Sequence, residues 1–174
     1  LLDSKGIVHN GIGLRIQDNK VVFSSSIREG FDLQGAWIVP GFLDAGNMLG
    51  LYEVDLESGT HDHNLGKGEN PELLSPSDAY NPLSRSIPLA RTHGIAHSFV
   101  HPSISGLVVG QLSSIHTAGM LPSEATMQSC VGLVTSLGNS AKDDTIRSRM
   151  QIAAEMRARL SEYGKKEGKK KSFF

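Results

Sequence analysis

The sequence predicts an α/β fold, and three stretches carry that prediction. Residues 1–36 break into short apolar runs separated by tight polar turns. Residues 37–51 form an apolar stretch that ends in a polar, glycine-punctuated one, and residues 143–163 hold an apolar stripe at helical spacing. Strands first, a helix last and short extended runs between them is the order of an α/β domain. At 174 residues the chain is long enough for one domain with a sizeable core.

In the first part, Gly6-Ile7-Val8 and Ile12-Gly13-Leu14-Arg15-Ile16 flank Asn10-Gly11, a strong turn dipeptide. Gln17-Asp18-Asn19-Lys20 makes a second polar turn before Val21-Val22-Phe23. A hairpin or meander is predicted, and it needs partners later in the chain because an isolated hairpin is marginal in water. Next, Trp37-Ile38-Val39 turns at Pro40-Gly41, a second apolar run ends at Asp44, and Ala45-Gly46-Asn47 follows. A buried strand that delivers its carboxyl end into a site reads this way.

Residues 51–81 are polar and glycine-rich, the mark of a functional or mobile loop, with Ser77 as the predicted N-cap of a short helix. Pro82 and Pro88 argue against one continuous helix here, and Gly94 is a natural C-cap after Ile87, Leu89 and Ala90. Residues 95–100 read as a strand that places Ile95, His97, Phe99 and His101 on one face. Leu107-Val108-Val109 and residues 112–116 read as two short extended pieces around Gly110-Gln111, and residues 131–135 as another. The helix of residues 143–163 presents Ile146, Met150, Ala153, Met156, Leu160 and Tyr163. Asp143 and Asp144 lie at its start and Gly164 at its stop, followed by a lysine-rich, solvated end.

Lys plus Arg total 17 and Asp plus Glu 18, a balance that gives no footprint for nucleic acid. Cys130 is the single cysteine, which excludes an intrachain disulfide but names no compartment. No run reaches the ~20 apolar residues of a membrane span, and the N-terminus has no signal-peptide pattern. A soluble protein of cytoplasm or periplasm is expected, with both chain ends reading as cut.

The stretch Pro40-Gly41-Phe42-Leu43-Asp44-Ala45-Gly46-Asn47-Met48 resembles the first barrel strand of the amidohydrolase superfamily, whose pattern is Pro-Gly-hydrophobic-hydrophobic-Asp-Ala-His-x-His. Gly50-Leu51-Tyr52-Glu53-Val54-Asp55 is similar to the segment that follows that strand in an imidazolonepropionase-like bacterial branch. Asp78-Ala79-Tyr80-Asn81-Pro82, Ile87-Pro88-Leu89-Ala90-Arg91-Thr92-His93-Gly94-Ile95 and the Ser105-Gly106 to Gln111-Leu112 stretch resemble further segments of that branch, in order. The likeness spans about residues 7 to 160. It implies strands of a small β-sandwich over 1–36 and a partial (β/α)8 TIM barrel of the metal-dependent-hydrolase type over 37–163, followed by a basic tail over 164–174. A complete barrel takes ~250 residues, so the barrel is expected to be incomplete.

The implied chemistry is hydrolysis of non-peptide C–N bonds, such as cyclic amides, by metal-activated water. In the resemblance the first two metal ligands fall at Gly46 and Met48, so no metal is expected there. Glycine has no side chain, and a thioether is a poor partner for a hard or borderline ion. Zinc or another divalent ion is assigned to a full-length parent through later histidines, and no cofactor to this chain. His61-Asp62-His63 is the single His-x-His in the sequence; as candidate ligands, His61 and His63 lack a third or fourth partner, and an exposed polar loop is the expected reading. Satisfied structural roles are expected of His93, His97 and His101, and a supporting role of Asp44. Glu53, Ser105 and Gln111 are the substrate-binding candidates, the partner expected being a small molecule, with a homo-oligomer compatible with the family. Neither Ser103 nor Ser105 has a base beside it in the pattern, so no nucleophilic triad is expected. The rival readings are a non-catalytic binding or assembly module on the same frame, using residues 52–81 for a partner, and a self-contained small α/β domain.

Overall fold

The computed structural model describes residues 1–3, 5–25, 29–64, 70–143 and 145–170. They divide into two units, Leu1–Gly41 and Phe42–Phe174. In the first, strands β1 (Gly13–Gln17) and β2 (Lys20–Ser24) pair antiparallel, with Leu14 opposite Phe23 and Gln17 opposite Lys20. Asp18 and Asn19 close the hairpin with φ of +50° and +56°. A two-residue loop with both φ positive suits the right-handed twist of the strands, and Asp and Asn tolerate that region better than most residues. The predicted turn at Asn10-Gly11 does not join Val8 to the following strand. Val8 bridges to Leu2 instead, and Asp3 anchors that loop by accepting the Lys5 and Ile7 N–H groups.

The second unit is mixed α/β. Its sheet has the order β3 (Phe42–Asn47), β4 (Ile95–Val100), β5 (Val108–His116), β6 (Thr126–Thr135). β3 and β4 run parallel, and helix α1 (Ser86–Thr92) leads directly into β4. Pro88 lies in the first turn of α1, where a missing N–H breaks no helical hydrogen bond. Gly94 follows the helix at φ +84°, and its N–H reaches the Arg91 carbonyl. β4–β5 and β5–β6 are antiparallel. Residues 101–107 are too few for the crossover of a dozen or more residues that a parallel partner requires, so β5 folds straight back on β4. The sheet therefore departs from the all-parallel arrangement that the resemblance implied, and no barrel closes among the described residues.

The two pieces predicted around Gly110-Gln111 are one strand with a register shift beside Gly110, whose φ is +151°. β6 starts five residues before the predicted run, directly after the short helix α2 (Pro122–Ala125). Ser77 caps no helix: Pro76–Asp78 is a single 3-10 turn, and the Ser77 hydroxyl bonds that of Ser75.

One face of the β4–β5 ladder, Ser98, Val100, Ser113 and Ile115, is fully buried. Val100 and Ile115 join Leu51, Tyr80, Ile87 and Ala125 in the main core cluster, with Met48 and Leu49 packed against it. Each large side chain so buried contributes roughly 1.5–3 kcal/mol. Tyr80 is 3 % exposed, its hydroxyl has no partner among the described residues, and burial pushes its phenol up to about 12. Neutral Tyr80 thus contributes stability that is complete below the ordinary phenol value of 10.0 and is lost as pH rises towards about 12. Melting temperatures should fall across that window in the wild type, and much less in Tyr80→Phe.

Helix α3 spans Arg149–Lys170. It begins six residues later than predicted and its backbone runs through Gly164, because lysine and glutamate on either side are good helix formers that outweigh the ~1 kcal/mol cost of glycine. Its start is a capping box: Ser148 Oγ accepts the Gln151 N–H, and Gln151 Oε1 accepts the Ser148 N–H at 3.0 Å. Asp143 instead folds the approach loop, accepting from Thr145 and Ile146, which holds its carboxyl below the usual range. Asp144 and the last four residues lie outside the described residues. Ile152 anchors the helix against Leu107 and Ala141, with Ile146 and Met156 beside them, whereas Met150, predicted to be core, is 81 % exposed. Among the described residues no helix is long and apolar enough to cross a membrane.

Candidate functional site

The parallel pair β3–β4 brings two strand ends side by side. The Asn47 carbonyl accepts the His101 N–H at 2.9 Å, which registers the end of one strand on the residue just past the other. Asp44 shapes this end through two local hydrogen bonds. Its Oδ1 accepts the Gly46 N–H at 3.2 Å and its Oδ2 accepts the Asn47 side-chain amide at 2.7 Å. Asn47 Oδ1 in turn accepts the Leu49 N–H, starting the turn that leads to Gly50.

Neither position implied as a first-strand ligand can serve as one. A Cβ placed on Gly46 would lie 3.5 Å from Cδ2 and Nε2 of His101, so the imidazole of the neighbouring strand borders the space a side chain would enter. Met48 packs against the core cluster. The first strand does not fit a hydrolytic metal. Because 3.5 Å is ordinary contact, the backbone itself accepts a side chain at position 46. Gly46→Ala should shift stability by no more than about 0.5 kcal/mol in thermal denaturation.

His101 donates from Nδ1 to the Pro102 carbonyl at 2.6 Å, which leaves the Nε2 lone pair on the side of Gly46. This group was missed as a site feature in the sequence, since its position beside Gly46 depends on strand pairing. Beyond the strand ends, residues 52–61 close on themselves through a bridge between Tyr52 and His61. Thr60 and His61 Nε2 both reach the Val54 backbone, and Tyr52 donates to Asp55 Oδ1 at 2.6 Å, which raises its phenol pKa. His63 is held by its carbonyl, which accepts the Ser103 N–H at 2.8 Å.

The structure brings His61 and His63 together. Their ring centres are 5.4 Å apart, and Tyr52 contacts both at 5.0 and 4.9 Å. The expectation of an exposed loop fails at His63, which is 9 % exposed. The three substrate-binding candidates are not joined to one another by hydrogen bonds among the described residues. Glu53 Oε1 accepts from the Asn81 side chain at 3.4 Å, and Ser105 is exposed. Gln111 donates from Nε2 to the Glu72 carbonyl and from its backbone to the Leu74 carbonyl, fastening the turn Pro71–Leu73 to β5. His97 pairs across the ladder with His116, and its Nδ1 is buried without a partner among the described residues. No group of three or more His, Cys, Asp or Glu side chains suited to one metal ion occurs among the described residues.

No family model and no curated protein matches the chain. A crystal structure of an amidohydrolase from Thermotoga maritima MSB8 is similar to it, with a TM-score of 0.68 at 22 % identity. The fold is shared with that amidohydrolase. The match covers 91 % of this chain and 44 % of the other, so the chain spans less than half the length of its structural neighbour. At this identity the likeness concerns the fold.

Proposed function

We propose that the chain is an amidohydrolase-like frame from the imidazolonepropionase-like branch, corresponding to the front of a metal-dependent (β/α) barrel, in which the first-strand metal ligands have been lost. The inherited reaction class is hydrolysis of non-peptide C–N bonds, such as those of cyclic amides, and this chain alone carries little or none of that activity. The observation that supports this most is the carboxyl end of β3. The strand lies parallel to β4 with α1 leading into the latter, yet Gly46 presents no side chain and Met48 turns to the core. The similar fold of an amidohydrolase supports the lineage, and the unsuitable residue types support the loss.

The test is turnover of a panel of cyclic amides by the purified chain with zinc or manganese supplied. The expected rate equals that of buffer with the same metal. Sustained turnover that is abolished by chelation would contradict the proposed loss.

A further inference from the structure

The three-ring cluster of Tyr52, His61 and His63 has no part in the hydrolase reading. We infer that His61 and His63 together form a binding site for one borderline divalent cation, of the zinc, nickel or copper(II) kind, through their Nδ1 atoms. Four observations carry this. His61 Nε2 lies 2.9 Å from the Val54 carbonyl, which can only accept, so Nε2 holds the proton and Nδ1 keeps its lone pair. A backbone carbonyl on the far nitrogen is the usual support of a metal-binding histidine, because it fixes both tautomer and ring orientation. His63 is nine-tenths buried, and its Nδ1 is enclosed with no hydrogen-bond partner among the described residues. An enclosed ring nitrogen left so is costly, and a cation would satisfy it.

The spacing also fits. Two imidazoles sharing a tetrahedral ion at ~2.0–2.1 Å hold their ring centres about 5 Å apart, and those of His61 and His63 are 5.4 Å apart. Both residues are tied to fixed backbone, His61 through its bridge to Tyr52 and His63 through Ser103. The donor set selects the ion. Two nitrogens with no thiolate suit a borderline metal, whereas magnesium and calcium demand oxygen ligands. With only two protein ligands the binding is reversible and of moderate affinity. The site is independent of Gly46 and Met48 and therefore of the hydrolase reading.

Zinc chloride titrated into the full chain with ¹⁵N-labelled histidine tests this, read by long-range ¹H–¹⁵N correlation. The Nδ1 signals of His61 and His63 should move together and saturate at one equivalent, while those of His93 and His116 stay in place. His61→Gln and His63→Ala should each weaken zinc binding at least tenfold by calorimetry, and His101→Ala should leave it unchanged. His61→Gln is the deciding variant if His63→Ala fails to fold, since His61 is the less buried ring. Absence of saturable binding, saturation that moves other histidines, or a His61→Gln chain that binds as the wild type does would each overturn the assignment.

Discussion

Gly50→Ala should destabilise the protein by about 3 kcal/mol, read as a lowered urea midpoint at unchanged slope. Gly50 has φ +76°, a region that costs a residue with a Cβ roughly 1–2 kcal/mol. The added Cβ would also lie 2.5 Å from Cε2 and 2.7 Å from Cδ2 of Tyr80, and 3.2 Å from the Asn81 carbonyl. The Tyr80 ring is a wall of the main core, so it has little room to withdraw, and such overpacking costs a further ~1–3 kcal/mol. The Gly50 carbonyl meanwhile accepts the Asn81 N–H at 2.9 Å, which ties the loop after β3 to the segment before α1. A loss below 1 kcal/mol would mean that Tyr80 is not seated against this turn.

The second large effect is expected at the middle of the sheet. Ile115 is fully buried and belongs to the cluster that joins β4 and β5 to Leu51, Tyr80 and Ile87. Ile115→Ala removes methylene groups where neighbours on several elements cannot all collapse inward, at a cost of about 2–5 kcal/mol. Met150→Ala provides the contrast, since that side chain is mostly in solvent and alanine favours the helix. Its expected change is within about 0.5 kcal/mol. Equal losses in the two variants would place the core of α3 on the face predicted from periodicity rather than on Ile152.

That contrast shows which parts of the fold were legible in the sequence. Local rules were sufficient where one residue's backbone preference decides the outcome. Gly94 ends α1, and residues 95–100 form β4 over the predicted span. They failed where two local signals compete. Asn10-Gly11 is a stronger turn signal than Asp18-Asn19, yet only the latter lies between strands whose register closes. The phase of α3 was misjudged because Ile146 was counted on the helix, although it lies in the loop before the Ser148–Gln151 box. β5 was split at Gly110 because a bulge resembles a break when the partner strand is not in view.

The candidate site divides along the same line. Loss of ligands at Gly46 and Met48 is a matter of residue type and can be read directly. The closeness of His61 and His63 follows from their spacing. Burial of His63 and the third ring from Tyr52 depend on closure of residues 52–61, and the placement of His101 beside Gly46 depends on parallel pairing between segments far apart in the chain, Phe42–Asn47 and Ile95–Val100. Neither leaves a mark in a linear pattern.

On the proposed amidohydrolase-like frame, β3 ends beside β4 and the imidazole of His101 borders the space left by Gly46. A nuclear Overhauser experiment on the labelled chain tests this placement most directly. A cross-peak is expected between the Gly46 α protons and the His101 ring proton on Cδ2, accompanied by one between the Leu43 and His97 backbones. A helical pattern of contacts over residues 42–47, or a His101 ring that shows no contact with Gly46, would contradict it.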